Sequence, residues 1–179
     1  MTGGGTTIVA GIEIPSTDPV FLTVIFVLHI PLGVACVGFG AIAMLSEKRR
    51  GRHSKLGTIY FWCLLALFAS STFLSLLRWA ENYHLFILGA LSFASAWGGR
   101  VALRRRRWRG WVRLHITGMG LSYTLMLIAF YVDNGKQLPI WKELPHLMYW
   151  AIPLALGIPL IVRALLWHPL VQARTEVSS

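Results

Sequence analysis

The sequence predicts an all-α integral membrane protein of five transmembrane helices, and three observations predict it. Of 179 residues, 55% are hydrophobic and only 13% charged, against about 25% charged in an ordinary soluble domain. The apolar residues gather in five stretches: 20–45, 56–77, 84–101, 111–132 and 147–167. The connections between them alternate between strongly basic and basic-poor, as in a chain that crosses a bilayer repeatedly. At a rise of roughly 1.5 Å per residue each stretch reaches across a hydrocarbon core of about 30 Å. Backbone polar groups in lipid must be satisfied within the segment, so the stretches are helices and not strands.

Residues 1–19 are Gly- and Thr-rich, with Glu13 and Asp18 but no Lys or Arg. They read as a flexible extracytoplasmic segment. A cleavable leader needs a positive start and a short apolar core; here the start is acidic and the run is long, so the first helix is expected to be retained. Its interior holds Pro31, and the fifth stretch holds Pro153 and Pro159. Proline removes a backbone donor, so kinks are expected in both, with the fifth helix the least regular.

The connection before the second stretch carries Lys48, Arg49, Arg50, Arg52 and Lys55. That before the fourth carries Arg100, Arg104, Arg105, Arg106, Arg107, Arg109 and Arg113. With Arg163 and Arg174 these hold most of the 17 basic residues. Positive loops stay in the cytoplasm, so the N-terminus is expected outside and residues 168–179 form a cytoplasmic tail of a protein in the bacterial plasma (inner) membrane. A net charge of +10 also fits nucleic acid. However, the charges sit at membrane boundaries beside Trp108 and Trp111, and no RNA- or DNA-binding module accompanies them. Membrane lipids are the expected contact and nucleic acid is not. In the third stretch Ala90, Ala94 and Gly98 form a small-residue stripe suited to helix contact. Cys36 and Cys63 lie in apolar runs without a CxxC partner and read as small buried hydrophobes.

No HExxH, GxSxG or phosphate-loop motif occurs, so no catalytic residue is assigned. Six histidines remain: His29, His53, His84, His115, His146 and His168. His29 lies deep in the first stretch, where an ionisable group is costly and marks function by default. Gly33, Cys36 and Gly40 share its face, a groove that would admit a flat porphyrin. Two readings stay open, a haem ligand and a packing histidine bonded to a neighbour. His84 opens the third stretch from the outside. Counted from the cytoplasmic ends, the two differ in height by roughly 4–5 Å, so one haem iron is within reach of both imidazoles. His53 and His115, with Gly118 on the latter's face as a candidate part of a cofactor groove, form a cytoplasmic-side candidate pair, mismatched by on the order of 10 Å. The four histidines are therefore candidate metal ligands for one or two b-type haems. Tyr60, Ser122 and Tyr123 are either pocket groups or satisfied core polar groups. His146 is an alternative outer ligand, and His168 reads as interfacial.

The stretches "LHIPLGVACVGFG", "GRHSKLGTIYF" and "RLHITGMGLSY" resemble a family of bacterial multi-pass membrane proteins known as a domain of unknown function. Its pattern matches His29, His53, Gly57, Tyr60, His115, Ser122 and Tyr123, over about residues 28–131. Ser54 stands where arginine is usual, and Gly118-Met119 where Trp-Met is common. The resemblance implies no activity of its own. More distantly, the histidine order is similar to that of di-haem transmembrane b-type cytochromes, in which alternate helices of a four-helix antiparallel bundle hold one haem near each face. That similarity implies bis-imidazole ligation by His29 with His84 and by His53 with His115. It also implies electron transfer across the membrane, with quinone or another membrane protein as partner. The alternative is a non-catalytic membrane subunit or assembly factor that binds a partner protein or lipid through its helix faces.

Overall fold

A computed structural model describes residues 6–9, 12–14, 16–47, 51–106, 109–168 and 171–172. Lys48, Arg49, Arg50, Arg107, Trp108 and Arg174, part of the basic and aromatic boundary pattern, lie outside the described residues. Among the described residues, five helices are long and apolar enough to cross a membrane. They are α1 (Pro19–Leu45), α2 (Arg52–Leu77), α3 (Trp79–Arg105), α4 (Trp111–Asn134) and α5 (His146–Trp167). A short antiparallel ribbon precedes them, β1 (Thr7–Val9) on β2 (Ile12–Ile14), with Thr7 opposite Ile14 and Val9 opposite Ile12. Residues 7–9 and 12–14 thus carry regular pairing where the sequence suggests only a flexible segment, and Thr7 Oγ1 donates to the Ser16 carbonyl at 2.7 Å.

α1 starts where Asp18 accepts from the Val20 N–H at 2.8 Å and Pro19 takes the first turn, a position that needs no N–H. It then widens into a π turn over Val24–His29, with the Ile30 N–H reaching back to the Ile25 carbonyl. The cause is adjacent: Pro31 has no N–H to continue the α ladder. The irregular backbone therefore lies in α1. α5, expected to be the least regular, remains helical through both Pro153 and Pro159.

Two helices begin earlier than hydropathy suggests. α2 starts at Arg52, not near residue 56, after Gly51 at φ 133°, a conformation open to glycine. α3 starts at Trp79, not near residue 84, because a single residue, Arg78, separates it from α2. Glu81 in its first turn pairs with Arg78 at 2.6 Å, and a negative charge suits a helix N-terminus. Hydropathy marks where lipid begins; the backbone ladder runs on into the polar boundary.

The chain divides into two compact units. The first comprises Met1–Ile87 and Lys136–Glu143, the second Leu88–Gly135 and Leu144–Ser179. In the first, α1 runs antiparallel to α2 and packs along it. Phe21 and Leu74 are buried together beneath Leu22, Val24, Ile25 and Phe26. In the second, Ser92 Oγ of α3 donates to the Ser122 carbonyl of α4 at 2.7 Å, and α5 packs along α4.

The close approach of α3 to α4 uses Ser95 and Gly99 against Gly118, not the Ala90–Ala94–Gly98 stripe that the sequence suggests. A Cβ on Gly118 would lie 2.6 Å from the Ser95 carbonyl oxygen and 2.9 Å from Gly99. Ala94 is exposed and Gly98 meets nothing. Large apolar side chains such as Val34, Leu160 and Trp97 point outward, while Ser92, Ser122 and Thr124 are buried. That inversion suits a chain whose surroundings are apolar.

Candidate functional site

His29 closes the π turn, ten residues into α1 and roughly 15 Å along it. Its Nδ1 lies 3.0 Å from Ser70 Oγ on α2. The Ser70 hydroxyl donates its single hydrogen to the Leu67 carbonyl at 2.8 Å, so Ser70 accepts from the histidine. This network assigns the hydrogen to Nδ1 and the lone pair to Nε2. The ring is half-buried. One turn on, a Cβ on Gly33 would meet nothing within 4 Å, leaving a notch beside the ring. Cys36 and Gly40, further along the face, are buried.

His84 lies in the second turn of α3, inside the helix and not at its opening. It is half-buried, its ring edge-on to Tyr83 at 5.7 Å. Two contacts fix its level. Ser75 Oγ donates to the Asn82 carbonyl at 3.3 Å, and the Phe68 and Phe86 rings lie 6.0 Å apart. Between these pairs, His84 is level with residues 71–72 of α2. His29 is level with Ser70, so the two histidines differ in height by about 2 Å, less than counting from the helix ends implies.

His53 is the second residue of α2, not part of a loop before it. Its Nδ1 donates to the Ala43 carbonyl at 2.8 Å, satisfying one of the orphan acceptors in the last turn of α1. His115 lies in the second turn of α4, and its Nδ1 donates to the Gly99 carbonyl of α3 at 3.0 Å. Three histidines therefore share one arrangement. Each gives Nδ1–H to a neighbouring helix, which in the neutral ring puts the lone pair on Nε2.

Gly118, read as part of a cofactor groove, has its open face filled by α3 backbone; its lack of a side chain serves helix contact. His146 is exposed at the start of α5, edge-on to Tyr149. His168 follows the last turn of that helix. Tyr60 is buried, and the buried Ser122 hydroxyl donates to the Met119 carbonyl at 3.0 Å, as a core polar group does. Among the described residues, no three or more His, Cys, Asp or Glu side chains converge as a metal site.

Sequence reasoning missed Ser70. Its signal is present, however, in the polar run Ser70-Ser71-Thr72 in the apolar second stretch. No family model, curated protein or solved structure matches the chain.

Proposed function

We propose that this multi-pass membrane protein binds b-type haem and carries electrons across the bilayer, with His29 and His84 as the residues that would hold the haem. The observation that carries the reading is the His29–Ser70–Leu67 relay. A ligating histidine gives its second ring nitrogen to a neighbouring acceptor, which fixes the tautomer and turns the other nitrogen towards the metal. Ser70 does this at membrane depth, where a polar ring otherwise has little reason to be. The Gly33 notch provides room beside the ring, and the matched level of His84 suits one iron between two imidazoles. Haem would supply one-electron chemistry between its ferric and ferrous states. The chain's own part is to orient the His29 imidazole through Ser70 and to exclude water with apolar helices. The histidine order, similar to that of di-haem transmembrane b-type cytochromes, supports the same reading. The basic connections would be cytoplasmic and the N-terminus outside, with quinone or another membrane protein exchanging the electrons.

The test is a dithionite-reduced minus oxidised spectrum of the detergent-purified protein, with haem quantified per chain. The expected result is a sharp six-coordinate b-type band, abolished in His29→Ala and in His84→Ala. One haem per chain is the stoichiometry expected of that pair. A colourless protein from cells making ample haem overturns the reading in favour of a membrane subunit that binds a partner through its helix faces.

A further inference from the structure

The α1–α2 seam has a fixed register. His29 faces Ser70 at one level, and Ala43 meets His53 near the other end. Seven residues are close to two helical turns, so a step of seven returns to the same face. From His29 that step reaches Cys36, and the opposite step from Ser70 reaches Cys63. The antiparallel register thus sets the two cysteines at one level on facing sides of the seam, about 10 Å from the His29 level. Burial agrees. Cys36 is 0% exposed and Cys63 half-buried. Gly40 and Ala43, the next small residues on the α1 face, are buried too, which allows two backbones to approach closely. Both cysteines are free thiols in this structure.

We infer that Cys36 and Cys63 form a cross-helix dithiol that a membrane-soluble quinone oxidises to a disulfide, covalently stapling α1 to α2. Two S–H bonds break and one S–S bond forms. Two electrons and two protons pass to the quinone oxygens, giving two O–H bonds and a hydroquinone. Cys63 is the less buried partner and meets the oxidant first. The staple would hold the segment that presents His29 against the helix that carries Ser70. It is independent of any haem, since no ligand is shared.

The experiment treats the full-length protein in detergent micelles with a fully substituted benzoquinone, which cannot add thiols to its ring. Trypsin then cuts between the two cysteines, at Arg52 and Lys55 in the first turn of α2, and the digest is mapped without reductant. The expected product joins the Cys36 and Cys63 peptides, lighter by two hydrogen atoms, with one hydroquinone per chain. A dithiol reductant reverses it. Cys36→Ala and Cys63→Ala each abolish it. In Cys63→Ala carrying Leu64→Cys, the new thiol lies about 100° around α2 and does not link. Wild-type thiols that both remain alkylatable after oxidation overturn the inference. So does a linkage found only between two chains, or equal linkage through position 64.

Discussion

At Ser70 a single hydroxyl sets the state of a histidine on another helix. Because it donates to Leu67, it can only accept from His29. Ser70→Ala removes that acceptor, so the Nδ1–H preference of His29 is expected to be lost. The ¹⁵N shifts of a ring-labelled His29 measure this with no cofactor present. The stability cost is expected to be small, about 0.6 kcal/mol for one interhelical hydrogen bond in lipid. His29 was legible in the sequence because its depth made it costly. Ser70 was not, since a serine inside an apolar run looks the same whether it bonds its own helix or bridges to another. The roles of His53 and His115 were hidden for a related reason: their partners are backbone carbonyls, which every residue offers.

Elements were legible where hydropathy decides them. All five crossings follow from apolar length alone. The ends do not, because α2 and α3 run into polar residues whose helicity is fixed by Gly51 and by the Arg78–Glu81 pair. Glycines show the same limit. By sequence position Gly33 and Gly118 both offer room for a cofactor beside a histidine, yet one faces open space and the other α3 backbone. Gly118→Ala is expected to lower stability by about 1–3 kcal/mol, the usual cost of overpacking. Gly33→Ala is expected to cost far less. Thermal unfolding of the two variants in one detergent compares them directly. The end of α3 shows a further local compromise. Arg106 takes a left-handed conformation, φ 42°, and its guanidinium lies 5.3 Å over the Trp111 ring, a cation–π contact that offsets part of the backbone strain.

For the whole molecule, five helices long and apolar enough to cross a membrane are expected to leave the two ends on opposite faces. Reporter fusions to the two termini, one active only inside the cell and one only outside, are expected to give opposite answers. The same result at both ends would require an even number of spans. Exposed apolar side chains and buried serines are consistent with that placement. They follow from the composition, which leaves too few charges to clothe a water-facing surface.

The π turn of α1 carries one residue more than an α ladder of the same span would need. The helix is therefore spliced from two frames. Ile30–Leu45 keeps its phase with α2 through His29 and Ala43. Pro19–Thr23 is wound to bring Phe21 onto Leu74. A chain one residue shorter between Val24 and Leu28 would close the turn into ordinary α-helix. The phase of His29 would survive, and only the upstream frame would swing, by about 100°. Length variation in that stretch is thus absorbed on the ribbon side of the turn, and the histidine stays in register with Ser70.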